Sequence, residues 1–198
     1  MTHKLRIATL GILLLTALIT GCTTTAEIKT PEATEVTTTQ QAQQQPETEA
    51  ETEAEVEAYY MDDLDLTMLD GSETSLYAYE GKIIILNFWA TWCKYCVQEM
   101  PLLDEINTRD DVVVLALSTG EDSETVKDYI DKYGYAFDVF VDEAGTLSSA
   151  FGISGLPTTF FIAPDMELLH VQPGMVTEES LDQIMTAIED LLESKSNQ

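Results

Sequence analysis

Basic side chains are scarce in this 198-residue chain: nine Lys and Arg stand against 36 Asp and Glu, for a formal charge of −27. A surface this acidic offers a polyanion no counterion release, which argues against nucleic acid as a partner. Cysteine is scarce as well. Three Cys are too few for a disulfide framework, and an odd number is awkward in an exported protein, so each needs its own explanation. Long apolar runs are also missing: the stretch Ile7 to Ile19 falls short of the roughly 20 residues that a membrane span needs. What is present is 44% hydrophobic residues, enough for a proper core, in a length that suits one domain with appendages.

The short apolar stretch accounts for one cysteine. His3, Lys4 and Arg6 precede it, and Ile19-Thr20-Gly21-Cys22 closes it with small residues before cysteine. Positive start, short apolar centre and small-residue end are the marks of a signal peptide. The last four residues resemble a bacterial lipobox, which implies cleavage after Gly21 and lipid attachment to Cys22, with residues 1–21 as leader. Residues 22–60 then form a tether. From Thr23 to Ala58 they are nearly all Thr, Glu, Gln, Ala and Pro without an aromatic ring, so they cannot bury enough apolar surface to offset the entropy of ordering. A flexible chain of this length spans about 35 Å, holding a folded part clear of the membrane.

Residues 61–198 have the pattern of a folded domain. Leu64 to Thr67 and Thr74 to Leu76 read as short strands about the Asp70-Gly71 turn. Ile83 to Phe88 and Val112 to Leu117 are unbroken apolar runs, as central strands covered on both faces require. A helix from Cys96 to about Thr108, interrupted by Pro101, links them as a right-handed crossover between parallel strands. Val126, Tyr129, Ile130 and Tyr133 mark a second helix, closed by Gly134. Phe137, Val139 and Val141 alternate as a strand, and Gly145 to Phe151 suits a short helix. Thr158 to Ile162 and Leu168 to Val171 form an antiparallel pair. Thr177 caps a last helix whose apolar face runs from Leu181 to Leu192. The expectation is an α/β fold: a central mixed sheet, helices on both faces and an N-terminal β-hairpin extension.

Cys93 and Cys96 stand where a buried strand ends and a helix begins, two residues apart. The first of such a pair aims its sulfur at unpaired backbone N–H groups and the positive end of the helix dipole, which favours the thiolate. Cys93 is therefore the expected nucleophile, and Cys96, one turn further in, the resolving thiol. Glu99 shares a helix face with Cys96. If buried, its carboxyl would hold its proton more tightly and could exchange it with the Cys96 thiol near neutral pH; an exposed helix glutamate is the plain alternative.

These residues resemble the thioredoxin superfamily, in particular its exported, membrane-tethered branch of TlpA and ResA type. The resemblance covers about Leu64 to Leu192. It rests on Asn-Phe-Trp-Ala-Thr-Trp-Cys at 87–93, on Glu99 and Pro101, and on Gly155-Leu156-Pro157-Thr158-Thr159-Phe160 before a strand. It implies a thioredoxin-like fold and a thiol–disulfide oxidoreductase that reduces protein disulfides, in cytochrome c maturation or in repair of oxidised surface proteins. Electrons would come from a transmembrane donor of the DsbD or CcdA kind, and no cofactor or metal is implied. Pro157 would be cis beside the cysteines, Leu156 would bind a substrate segment through its backbone, and an acid belongs at the position of Glu99. Trp92 is expected as an exposed contact for substrates and Trp89 as core. Asn87 is a neutral amide where classical thioredoxins carry a buried aspartate. Lys94-Tyr95 between the cysteines lacks the proline of many relatives, and Pro164-Asp165-Met166-Glu167 lacks their turn glycine.

Three other functions fit less well. A copper-delivery module on the same fold could use Cys93, Cys96 and His170, but such proteins space their cysteines by three residues, and a zinc site needs a fourth ligand. A peroxidase would need proline and threonine at fixed offsets before its cysteine, and Leu86 stands seven before Cys93. A non-catalytic binding lipoprotein has no use for a cysteine pair at a helix start. The folded part carries 27 acidic and six basic side chains, a charge of −21, so the acidity belongs mostly to the domain rather than to the tether.

Overall fold

The computed structural model describes residues 58–197; the leader, Cys22 and the tether as far as residue 57 lie outside the described residues. The described chain runs β1 (Asp65–Thr67), β2 (Glu73–Ser75), a 3₁₀ turn (Leu76–Tyr79), β3 (Ile83–Trp89), α1 (Lys94–Ile106), β4 (Val112–Thr119), α2 (Ser123–Tyr133), β5 (Asp138–Asp142), α3 (Thr146–Ala150), β6 (Thr158–Ile162), β7 (Leu168–Pro173) and α4 (Glu178–Ser196). None of the described helices is long and apolar enough to cross a membrane.

Five strands form one sheet in the order β5-β4-β3-β6-β7. β3 lies parallel to β4, and β4 to β5; β6 runs antiparallel to β3 and β7. All seven residues of β3 are buried, which is why its sequence is apolar without alternation. On one face Ile83, Ile85 and Trp89 pack with Met100 and Leu103 of α1, Val126 of α2, and Leu181, Met185 and Ile188 of α4. On the other face Ile84, Leu86 and Phe88 meet Leu66 and Leu76 of the amino-terminal hairpin and Phe151 beside α3. The expected architecture is therefore present. The helix boundaries follow local chemistry: Asp122 caps α2 by accepting the Thr125 N–H at 2.8 Å, Gly134 closes it in the left-handed region at φ 73°, and Thr177 caps α4 in a reciprocal pair with Ser180. Pro101 lies inside α1 without ending it.

The structure adds detail at both ends of the amino-terminal extension. Tyr59 and Tyr60, assigned above to the tether, already pair with the sheet: the Leu168 N–H donates to the Tyr59 carbonyl at 2.8 Å, and Tyr60 bridges Glu167. Two aromatic rings next to an edge strand are a folded pattern rather than a linker pattern. Farther on, Met68 bridges Phe140 of β5, so the extension starts at one edge of the sheet and reaches the other. Leu76 begins the 3₁₀ turn instead of ending β2.

Met166, in the turn that lacks the glycine of relatives, serves the core as well as the turn. It takes the left-handed conformation at φ 72°, costly for a side chain with a Cβ, yet it is only 3% exposed and packs in the core. Its carbonyl also accepts the Met61 N–H at 2.8 Å. Glycine here would relieve about 1 kcal/mol of backbone strain but lose a buried side chain, at roughly 2–5 kcal/mol. Met166→Gly should therefore lower the urea midpoint, by about 2 kcal/mol in stability; a raised midpoint would show that backbone strain dominates.

Candidate active site

The site begins where β3 ends. Seven buried residues bring the chain to Trp89, a tight turn follows in which the Cys93 N–H donates to the Ala90 carbonyl at 3.1 Å, and α1 starts at Lys94 with Cys93 as its amino cap. Cys93 and Cys96 are joined by a disulfide, Cα to Cα 5.3 Å, and the Cys96 N–H points at the Cys93 sulfur at 3.2 Å. Cys93 is 6% exposed and Cys96 fully buried. The first sulfur is thus both the more accessible and the one that caps the positive end of α1, where a thiolate is favoured.

The rim around it is aromatic. Trp92 and Tyr95 are 71% and 58% exposed, whereas Trp89 is buried in the core, as expected for each tryptophan. Between them Lys94 is exposed and in no ion pair among the described residues. The Leu156-Pro157 bond is cis. Phe88 pairs with Thr158 in the sheet, so the next residue outward, Pro157, sits at the level of Trp89, on the end of the sheet from which the cysteine loop leaves. The Pro157 carbonyl accepts the Gly174 N–H at 2.9 Å. The half-buried Leu156 has neither its N–H nor its C=O engaged among the described residues, leaving both to pair with an extended segment.

Glu99 is 1% exposed, which the helix face shared with Cys96 could not by itself reveal. One carboxylate oxygen accepts from Asn87 Nδ2 at 2.8 Å, the other from the Val176 N–H at 2.6 Å. Burial pushes its pKa up to about 7, against the pull of those two donors. It lines a groove of about 380 Å³ with Gln98, Pro101, Leu102, Met175 and Val176.

A second buried carboxylate was not anticipated. Glu121, at the end of the loop after β4, accepts from the Thr91 N–H at 2.7 Å, the Thr91 hydroxyl at 2.5 Å and Ser118 Oγ at 3.1 Å. It ties the loop that carries Trp92 and Cys93 to the neighbouring strand end. Its only signal in the sequence is an acid just past an apolar strand, Ser118-Thr119-Gly120-Glu121, in a fold whose strand ends gather around one loop.

The ligand set weighed for a metal does not come together. His170 is exposed on β7, paired with Phe161, which in turn pairs with Ile85. It therefore stands two strands away from β3 and four residues down the sheet from Trp89. Among the described residues no three His, Cys, Asp or Glu form a metal-binding group. Leu86, seven residues before Cys93 and neither the proline nor the threonine that a peroxidase of this fold would carry before its cysteine, is fully buried among apolar side chains.

The model of the AhpC/TSA family matches residues 59–171. The thiol-disulfide oxidoreductase ResA of Geobacillus thermodenitrificans (strain NG80-2) is 35% identical over 129 residues, covering 64% of this chain and 74% of that protein. The ResA of Bacillus thuringiensis subsp. konkukian is 33% identical over 126 residues, 62% of this chain and 73% of its own length. Among solved structures, the exposed lipoprotein thioredoxin Etrx1 of Streptococcus pneumoniae superposes with a TM-score of 0.56 at 33% identity, over 64% of this chain and 99% of that one. A putative thiol:disulfide interchange protein DsbE from Chlorobium tepidum reaches a TM-score of 0.60 at 23% identity, over 66% and 95%; this last likeness concerns the fold.

The raised proton affinity of Glu99 has a thermodynamic consequence. Between its ordinary pKa of 4.5 and about 7 the folded state binds more protons than the unfolded one, so this carboxyl makes stability fall as pH rises through that window. Glu99→Gln removes the effect. In the oxidised protein it should be stabilising at pH 8 relative to pH 4 by about 3 kcal/mol, read as the difference between the thermal shifts at the two pH values; equal shifts would show that Glu99 does not titrate abnormally.

Proposed function

Since this chain belongs to the AhpC/TSA family and is a thiol–disulfide oxidoreductase of thioredoxin-like fold, we propose that it is a lipid-anchored, extracytoplasmic reductase of protein disulfides. The observation that carries the reading is the disulfide closed on the first turn of α1, with Cys93 the more accessible of the two cysteines and Cys96 fully buried one helical turn before the buried carboxyl of Glu99. In the reduced protein Cys93, favoured as thiolate by the helix end, attacks a substrate disulfide and forms a mixed disulfide. Glu99 accepts the Cys96 proton, and the Cys96 thiolate attacks the Cys93 sulfur, releasing the substrate thiol and restoring the intramolecular bond. A carboxyl poised near pH 7 is matched to both taking and returning that proton.

Substrate binding is assigned to Trp92, Leu156 and Pro157. The free backbone groups of Leu156 suit strand-like pairing with an extended segment, and the exposed Trp92 ring supplies a flat contact beside the sulfur. Oxidised apocytochromes c and oxidised surface proteins are the substrate classes, and the electrons come from a transmembrane thiol protein of the DsbD or CcdA kind. No cofactor takes part. The anchor is supported by the leader pattern ending at Cys22 and by the pneumococcal relative, which is named an exposed lipoprotein.

Two experiments test this reading. Cys93→Ser should lower disulfide reduction on the order of 100-fold or more, whereas Cys96→Ser should accumulate mixed disulfides with substrates and donor, visible on non-reducing gels. Equal residual activity in both variants would overturn the division of roles. For the anchor, Cys22→Ala should move the protein from the membrane fraction to the soluble one after cell fractionation; unchanged membrane retention would remove Cys22 as the attachment point.

A further inference from the structure

Three buried polar side chains meet beneath α1: Glu99 of that helix, Asn87 of β3 and Thr159 of β6, the last two facing each other in register. Asn87 Nδ2 donates to Glu99 at 2.8 Å and to Thr159 Oγ1 at 2.9 Å, which uses both of its protons. The other end of the amide, Asn87 Oδ1, is buried without a partner. Such an acceptor is rare in a folded interior and calls for a physical reason.

The arrangement suits only one protonation state. With Glu99 ionised, both of its oxygens receive donors, from Asn87 and from the Val176 N–H. A neutral carboxyl carries an O–H that needs an acceptor, and it faces two N–H groups. Turning the Asn87 amide by half a revolution about Cβ–Cγ exchanges its nitrogen and oxygen in place. Oδ1 then lies where Nδ2 was, within reach of the Glu99 O–H and of the Thr159 hydroxyl, whose own proton has no acceptor among the described residues. Both contacts survive with their direction reversed.

We propose that Asn87 is a positioning residue whose amide turns over each time Glu99 gains or loses a proton, with Thr159 as its partner in both orientations. The proposal rests on the proton transfer described under the proposed function. There the Cys96 S–H bond breaks and a Glu99 O–H bond forms. The Cys96 thiolate attacks Cys93, the Cys93–Cys96 bond forms, and the bond from Cys93 to the substrate breaks. The dithiol gives up two electrons and the substrate disulfide gains them. The proton left on Glu99 is held by Asn87 Oδ1 until it leaves through the groove. The other titratable groups near Glu99 are Cys96, one turn earlier on its own helix, and, around the groove, the carboxylates of Glu105 and Glu178; the hydrogen bonds of Glu99 go to Asn87 and Val176 alone among the described residues. A fixed amide would strand the proton; a reversible one serves both directions of exchange.

The chain contains three asparagines, Asn87, Asn107 and Asn197, so selective ¹⁵N-asparagine labelling of the full chain yields three side-chain NH₂ pairs in an NMR titration from pH 5 to 9. The Asn87 pair should show Overhauser contacts to the Thr159 and Glu99 side chains at high pH and lose them below a single midpoint, and in Glu99→Gln no midpoint should remain. Contacts that persist across the titration would overturn the proposal. Turnover supplies a second reading. If Asn87 were only a donor, Asn87→Leu would move the Glu99 limb of the pH–rate profile upward. If it serves both states, the rate should fall about tenfold while the midpoint stays within about half a pH unit. The titration reads the amide without turnover, so a wild-type protein inert towards disulfides would count against the proposed function and not against the amide.

Discussion

β3 is buried on both faces along its whole length, and that constraint determines where the chemistry stands. A strand covered from two sides can leave the sheet only at its end, and here the end is Trp89, locked in the core. The turn that follows has no freedom to drift, because its Cys93 N–H is fastened to the Ala90 carbonyl and Thr91 is held by Glu121 through both its backbone and its hydroxyl. Cys93 thereby becomes the cap of α1, with its sulfur in the field of the helix end. β6 is fixed against the same strand and delivers the cis Leu156-Pro157 bond to the same level. The two halves of the site, one from each side of the chain, meet because both are measured out along β3.

Two carboxylates flank this turn, and their surroundings separate their roles. Glu121 collects three donors from Thr91 and Ser118 and serves to hold a loop. Glu99 has two donors and a deeper setting, and burial outweighs them. The result is a carboxyl that changes charge near neutrality. Depth alone does not do this, since a fully buried acid without donors would stay neutral. The balance between desolvation and two N–H groups is what leaves both states accessible.

Much of this was legible in the chain. The apolar runs of β3 and β4, the periodic faces of α2 and α4, and the caps at Gly134 and Thr177 are local signals, each enforced by a few neighbouring residues, and the structure keeps them all. The cysteine pair and the cis-proline segment were legible because short motifs carry them. What was not legible depends on partners distant in the chain. Glu99 is anchored by Val176, 77 residues away, and Asn87 by Thr159, 72 residues away. Glu121 reaches back 30 residues to Thr91. No local period announces such contacts, because they exist only once the sheet has set its register. Met166 escaped for a different reason: a turn position normally read through its backbone also fills the core.

The charge of the domain acquires a geometry from the same facts. Of its six basic side chains, Arg109, Lys127 and Lys195 are held in ion pairs and Lys132 lies over the Tyr133 ring. Among the described residues this leaves Lys82 and Lys94 with neither an ion pair nor a ring contact. Lys82 directly precedes β3, at the far end of the sheet from the cysteines, while Lys94 immediately follows Cys93. The one uncommitted cation near the sulfur thus stands within an otherwise acidic surface. At physiological salt the overall negative field decays over about 8 Å, so it biases encounter toward cationic partners and weakens approach to anionic lipid surfaces without dictating contact. On the proposed function, selection at contact passes to Trp92 and the backbone of Leu156, beside the exposed Tyr95. On that reading steering and recognition are carried by different parts of the molecule: the first by the whole acidic domain, the second by a small aromatic rim whose position is set by the end of β3.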